Sequence, residues 1–136
     1  MNFSEKHTCL LVQGSQAAEF LQGQITIDAE KISNEDFKPA CICNNKGRVI
    51  TTFWIKKVEN GFQIAILEEL SASFEEHMKK YIPFFDAELK KNDEGHFKKE
   101  LDSTEWMKFL INKGIVEINK NTSSKFTPHE LNYQNN

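Results

Sequence analysis

Three strand-like runs joined by two tight turns constrain the fold of this chain more than any other feature of its sequence. Residues 37–43 and 49–56 are apolar runs that flank Asn44-Asn45-Lys46-Gly47, and Asn and Gly tolerate the positive φ angles of a tight turn. Glu59-Asn60-Gly61 leads into a third run, residues 62–67. Because strand side chains alternate, the pattern predicts an antiparallel meander in which one face of the third strand carries Phe62, Ile64 and Ile66.

A further strand and a short helix are predicted before this meander. Residues 7–13 are typical of a strand that ends at Gly14. The next segment predicts a helix with Ser15 as its N-cap and its end near Gly23. Residues 25–33 fit either an extended segment or a short helical turn.

After the meander, the spacing of apolar residues predicts a helix over residues 68–81 that ends before Pro83. Its buried stripe consists of Leu70, Phe74, Met78 and Tyr81. Residues 84–89 then predict another short strand.

A last helix is predicted to begin at Ser103 or Thr104 and to end at Gly114. It directs Trp106 and its neighbours Phe109 and Leu110 inward. The whole pattern predicts an α+β fold, in which an antiparallel sheet packs against two or three helices.

Length and composition predict a single domain over residues 1–136. The chain contains eleven phenylalanines and 39% hydrophobic residues, which supply enough apolar area for one core without a disulfide or a structural metal. Residues 90–100 are too polar to bury, so a surface connection is expected there, and residues 121–136 are expected to form a polar tail.

Charge, hydropathy and cysteine content argue against several classes of function. A formal net charge of −3 disfavours direct contact with nucleic acid. No apolar run approaches the roughly 20 residues that span a bilayer, and the first residues carry no signal-peptide pattern. The three cysteines lack a repeated C-x-x-C pair and fit reduced thiols. We therefore expect a cytoplasmic protein with no membrane contact.

No group of residues in the sequence forms a recognisable catalytic or metal-binding motif. Cys41 and Cys43 lie two apart on a predicted strand, where cysteine acts as a small hydrophobe, and no histidine nearby completes a set of metal ligands. No nucleophile lies in a known turn motif. We therefore assign no metal ligand and no catalytic residue.

Four residues are candidates for contact with a ligand, and each also has a structural interpretation. Lys46 and Arg48 form either a solvated turn or a clamp for a carboxylate. Asp28 is either a helix cap or a polar contact to a ligand. Trp106 is either a core residue or a stacking platform for a flat ring. The residues alone leave these alternatives open.

Several segments resemble, in order, the motifs of one known family. Residues 11–28 resemble a G-x-[DS]-A-x-x-F-L-Q-G-Q-[LVI]-T-x-D signature, residues 45–48 a K-G-[RK] hairpin, and Lys80-Tyr81 a K-Y pair. Residues 106–118 and 126–132 resemble a W-x₆-A-G-x-P-x-I … F-x-P-q-x-x-N-L block. These motifs are those of the YgfZ-type folate-binding proteins, which are relatives of the glycine cleavage T-protein.

The resemblance implies one unit of the duplicated folate-binding domain found in the T-protein family. The family carries a second α/β unit where this chain has only the stretch between Leu89 and Leu101. Its K-G-C-[YF]-x-G-Q-E motif would follow Asn132. Half of the domain and that motif are therefore expected to be missing, which favours a protein without enzymatic activity.

The resemblance also implies a site for tetrahydrofolate. Of the family's two folate-contacting tryptophans, one falls on His7 and the other on Trp106, so these residues would stack on or border the pteridine. Their chemistry suits Lys46 and Arg48 to the glutamate carboxylate of the same ligand, and Asp28 to a further polar contact.

Three functions compete on this basis. The first is a tetrahydrofolate-binding accessory protein that supports iron–sulfur enzymes and, only indirectly, tRNA thiolation. The second is a scaffold or interaction module that has lost folate binding, and the third, an aminomethyltransferase, needs a complete pocket and a catalytic acid. A chain with one unit should expose a strand edge and an apolar face. A homodimer with the ligand near its interface is therefore expected.

Overall fold

The computed structural model describes residues 1–92, 98–128 and 130–131. In chain order, its strands and α-helices are β1 (Asn2–Ser4), β2 (His7–Gln13), α1 (Ala17–Gln22), β3 (Lys38–Cys43), β4 (Val49–Val58), β5 (Gly61–Leu67), α2 (Glu68–Lys79), β6 (Glu88–Lys91), β7 (Lys98–Leu101) and α3 (Ser103–Lys113). Short 3₁₀ helices lie at Ala29–Lys31 and Ile82–Phe84. The predicted α+β class is confirmed.

The main sheet is antiparallel, with the strand order β3-β4-β5-β2-β6. Its meander turns where predicted, because Gly47 and Asn60 adopt φ angles of 78° and 62°, which Gly and Asn reach at low cost. The first strand of the chain, β1, pairs in parallel with β7 in a separate two-stranded sheet. Neither β1 nor β7 was predicted from the sequence.

Both faces of the main sheet are buried. One face, with Phe53 on β4 and Leu10 on β2, packs against α1 and α2. The opposite face, with Trp54 and Ala65, packs against Phe3 from β1 and Trp106 from α3. Full burial of each large apolar side chain stabilises the fold by roughly 2 kcal/mol, so this second layer contributes substantially.

The two longer helices follow their apolar stripes closely. In α2, Leu70, Phe74 and Met78 are buried, but Tyr81 lies beyond the end of the helix and is 41% exposed, so its predicted inward position was wrong. The last helix, α3, begins at Ser103 and ends at Gly114, as expected, and a capping box formed by Asp102 and Glu105, which was not predicted, stabilises its start. Among the described residues, no helix is long and apolar enough to cross a membrane.

Two further details differ from the predictions. Gln16, not Ser15, is the N-cap of α1, because the Ser15 hydroxyl donates to the carboxylate of Asp86. The strand expected at residues 84–89 begins only at Glu88. Pro83 lies near the start of the 3₁₀ helix Ile82–Phe84, so the chain is helical there and not yet extended.

The described parts of the expected surface connection and polar tail form strands and contacts that were not predicted, and residues 129 and 132–136 of the tail lie outside the described residues. The connection expected at residues 90–100 contains the end of β6 and most of β7, while residues 93–97 lie outside the described residues. In the expected tail, Ser124 N and Phe126 O pair with Val49 of β4 at 2.6 Å each. Leu131 is buried in the main core. This segment covers the half of β4 that β5 leaves unpaired.

Gly14 is a position where a side chain cannot be accommodated. Its φ is 138°, and an added Cβ would lie 2.2 Å from the carbonyl oxygen of Asp86. We expect Gly14→Ala to lower the free energy of unfolding by about 3 kcal/mol or more, because strain and steric overlap act together.

Gly47 provides the matched control, because it also has a positive φ but an added Cβ would have nothing within 4 Å of it. Gly47→Ala should cost only about 1 kcal/mol. Urea unfolding followed by circular dichroism measures both values, and equal losses would contradict the steric argument.

Candidate functional site

The structure brings His7 and Trp106 into direct contact, although they are far apart in sequence. His7 is the first residue of β2, and Trp106 lies on the buried face of α3. Their ring centroids are 4.5 Å apart and the ring planes meet at 67°, an edge-to-face arrangement. The two positions where the family resemblance placed folate-contacting tryptophans therefore form one cluster.

Glu117 joins the polar edges of these two rings. Its Oε2 lies 3.0 Å from His7 Nε2, and its Oε1 accepts a hydrogen bond of 2.9 Å from Trp106 Nε1. A carboxylate only accepts hydrogen bonds, so His7 donates through Nε2–H. The other ring nitrogen, Nδ1, bonds the Ser4 hydroxyl at 2.8 Å. Every polar ring atom of the pair thus has a partner within the chain.

Glu117 was not among the site residues predicted from the sequence. It lies between Val116 and Ile118, in a short segment without regular secondary structure shortly after the last helix. A single acid within an apolar run is a signal that a buried polar partner exists. Its partners, 11 and 110 residues away in sequence, could not be found without the fold.

Other aromatic side chains cover the faces of the ring pair. Phe3, Trp54 and Phe109 lie 5.5, 6.0 and 5.3 Å from the Trp106 ring, measured between centroids. Trp106 is 4% exposed and His7 is fully buried. The four cavities near Gly14, Ser33, Thr26 and Glu19 are lined by neither ring. In this conformation, Trp106 is a core residue.

Lys46 and Arg48 lie in the turn between β3 and β4, directly before the first residue of β4. Arg48 donates to the Lys125 carbonyl at 3.2 Å and lies 3.9 Å from the Glu130 carboxylate, with about half of each charged side chain exposed. Trp54, which contacts Trp106, lies six positions after Arg48, or about 20 Å along an extended chain. The structure does not bring the two cations to the ring pair.

Asp28 acts as a cap on the first 3₁₀ helix. Its Oδ1 accepts a hydrogen bond of 3.0 Å from Glu30 N. It also lines a cavity of about 460 Å³ together with Glu19 and Glu30. Three carboxylates around one cavity disfavour an anionic ligand such as the glutamate part of folate.

The signature segment builds a different cavity, next to the cysteines. Residues 23–26 line a space of about 360 Å³ together with Cys43, His77 and Tyr81. Cys9, Cys41 and Cys43 are all free thiols. In the part of the chain that the structure describes, no three metal-ligating side chains cluster.

Comparison with known proteins gives a sequence relative and a structural neighbour. No protein-family model matches the chain. The backbone is similar to the crystal structure of the glycine cleavage system aminomethyltransferase T from Bartonella henselae, with a TM-score of 0.60 and 15% identity over 65% of this chain and 25% of that chain. The chain thus has the fold of a T-protein aminomethyltransferase domain.

The sequence similarity is more specific. The chain is 27% identical over 124 residues to the tRNA-modifying protein YgfZ of Buchnera aphidicola subsp. Schizaphis graminum (strain Sg), a match that covers 90% of this chain. The chain spans 38% of the length of that protein. The chain is therefore similar to YgfZ in sequence and to the T-protein in fold, as its motifs predicted.

The Glu117 bridge makes a stability prediction. In Glu117→Gln, the amide oxygen can accept from the Trp106 N–H, but the amide N–H₂ pairs with His7 only if the histidine switches to the tautomer that accepts through Nε2, so charge-assisted hydrogen bonds are replaced by weaker neutral ones. We expect the free energy of unfolding to fall by roughly 1–3 kcal/mol.

Glu69→Gln, on the exposed side of α2, is the control and should change stability by less than about 0.5 kcal/mol. Urea unfolding curves of the wild type and the two variants measure both changes in the free energy of unfolding. An unchanged midpoint for Glu117→Gln would show that the bridge contributes nothing to stability.

Proposed function

We propose that this chain is a YgfZ-like accessory protein that supports tRNA modification through an iron–sulfur enzyme and binds tetrahydrofolate. The observation that carries the proposal is the sequence similarity to YgfZ over nine-tenths of the chain. The net charge of −3 supports an indirect link to tRNA, because a protein that holds RNA directly needs a basic surface. Free thiols at all three cysteines suit action in the cytoplasm.

The residues around Trp106 have the chemistry that a pteridine requires. A flat heterocycle can stack on an indole, and a carboxylate such as that of Glu117 accepts hydrogen bonds from ring N–H groups. In the present conformation, both Glu117 oxygens already accept from His7 and Trp106. Folate binding at this cluster therefore requires both the Glu117 segment and at least one of the aromatic rings that cover Trp106 to move away.

A second candidate function is an interaction or scaffold module without a folate site. It is favoured by the burial of Trp106, which is 4% exposed and whose indole N–H is already bonded. Aminomethyl transfer is not proposed, because a structural similarity at 15% identity concerns the fold alone.

Titration of tryptophan fluorescence with tetrahydrofolate separates the first two functions. Trp54 and Trp106 are the fluorophores of the chain, so Trp106→Phe and Trp54→Phe are matched variants. We expect saturable quenching in the wild type and in Trp54→Phe, and its loss in Trp106→Phe. If the wild type is folded by circular dichroism but shows no saturable quenching, folate binding is contradicted and the scaffold function is favoured.

We further propose that the chain forms a homodimer through the outer face of α3. Met107 and Ile111, one turn apart on this helix, are 56% and 70% exposed. Edge pairing is less favourable, because the edge strand β6 is short and carries Lys90 and Lys91.

Sedimentation equilibrium over micromolar concentrations should therefore show a dimer of about 32 kDa, twice the chain mass of 15.8 kDa. The double substitution Met107→Lys with Ile111→Lys should yield monomer. Phe84→Lys is the control, since Phe84 is 80% exposed but lies outside α3. A wild-type monomer at all concentrations would overturn the proposal.

A further inference from the structure

Side chains of the chain itself occupy both the face and the polar edge of the Trp106 ring. Phe109 packs on the ring face, with the centroids 5.3 Å apart and an angle of 27° between the two planes. Glu117 Oε1 accepts a hydrogen bond of 2.9 Å from the indole N–H. Stacking on the face and a hydrogen bond at the edge are the two kinds of contact that an indole offers to a flat heterocycle.

Phe109 differs from the other rings around Trp106 in its orientation. Phe3 and Trp54 meet the Trp106 ring at angles of 41° and 73°. Among these three contacts, Phe109 is the one that stacks nearly parallel to the indole. A bound heterocycle would take up the same stacked arrangement. Phe109 therefore lies where such a ligand would lie.

Phe109 also differs from these rings in its burial. Phe3 is fully buried and Trp54 is 5% exposed, so both are fixed within the second layer. Phe109 is only partly buried. It follows Trp106 by three residues on α3, so the two side chains are neighbours on the helix surface. Rotation of the Phe109 side chain between rotamers therefore moves its ring to solvent without any shift of the helix backbone.

Glu117 is likewise close to the surface. Its side chain is 14% exposed, and residues 115–117 have no regular secondary structure. The chain is held on both sides of this segment, because Gly114 caps α3 in the left-handed conformation and Ile118 N donates to Thr52 Oγ1 at 3.0 Å. A turn of the Glu117 side chain toward solvent therefore frees the indole N–H while both attachments stay in place.

We propose that Phe109 and Glu117 form an autoinhibitory pair, which occupies the Trp106 site and competes with its ligand. In the closed state, the pair covers the ring face and bonds the polar edge. In the open state, Phe109 turns to solvent and Glu117 releases the ring N–H groups of His7 and Trp106, so a flat heterocycle takes their place. This proposal rests on the proposed tetrahydrofolate function and adds its regulation, because the apparent affinity depends on the open fraction.

The first test needs no ligand. In a Trp54→Phe background, the fluorescence comes from Trp106 alone, since the chain has two tryptophans. Phe109→Ala removes the stacked ring, so acrylamide, a small neutral quencher, should quench Trp106 severalfold more strongly than in the parent protein. Phe109→Leu keeps most of the apolar area and should show the same change to a smaller extent. Circular dichroism confirms that each variant is folded.

The second test is titration of the same proteins with tetrahydrofolate. Phe109→Ala should bind about tenfold more tightly than its parent, as expected if about a tenth of the parent protein is open. Lys108→Ala is the matched control, because Lys108 is the preceding residue of α3 and is exposed. This control should leave both the acrylamide quenching and the affinity unchanged.

The two measurements distinguish failure of the autoinhibitory pair from failure of the folate function. Stronger acrylamide quenching in Phe109→Ala, with no tetrahydrofolate binding by any variant, would support the cover over Trp106 and contradict the folate function. Unchanged acrylamide quenching in a folded Phe109→Ala protein would overturn the autoinhibitory pair. Weaker tetrahydrofolate binding by this variant would also overturn it, because Phe109 would then contribute to the site and not compete for it.

Discussion

The structure depends on the need to cover both faces of β4. Phe53 and Trp54 are adjacent residues on this strand, so they point to opposite sides of the sheet, and both are buried. The helices α1 and α2 cover the face with Phe53. The face with Trp54 needs a second layer, which β1 and α3 supply although they lie at opposite ends of the chain. The pairing of β1 with β7 holds these two parts side by side.

This second layer explains why His7 and Trp106 meet. Once α3 packs on Trp54, its buried face reaches the start of β2, where His7 is the first residue. A histidine and a tryptophan buried together bring polar N–H groups into an apolar layer, and such groups cost free energy unless they are bonded. Glu117 satisfies both at once. The ring N–H groups of His7 and Trp106 therefore have hydrogen-bond partners without any ligand.

The sequence predicts the local elements well and the second layer poorly. The meander, the stripe of α2 and the ends of α3 follow from alternation, helical spacing and capping residues, which are all local signals. By contrast, β1 and β7 are short strands of three and four residues, and their pairing across nearly a hundred residues leaves no local pattern. For the same reason, the contact of Trp106 with His7 was suggested by family motifs, whereas Glu117 was not found at all.

In the most specific motif of the chain, residues 11–28, the polar residues and Gly14 are accounted for by local structure. Gly14 allows the close approach of the Asp86 backbone, Gln22 Oε1 accepts from Ala29 N at 2.8 Å, and Gln24 bonds His77. Thr26 holds the strand of Cys41, and Asp28 caps a 3₁₀ helix. Each conspicuous polar residue of the motif therefore has a partner within the fold.

Because the motif residues have partners within the fold, the motif is weak evidence for a bound ligand. A motif whose residues all serve the fold is evidence for the fold, and it would persist in a protein that had lost its ligand. The motif also surrounds the Cys43 cavity, while the ring pair lies on the opposite layer of the sheet. Its presence therefore does not bear on folate binding at Trp106. That question depends on whether the Glu117 segment and the aromatic rings packed on Trp106 can move away, because the carboxylate occupies the polar edge and the rings cover the faces that a pteridine would use.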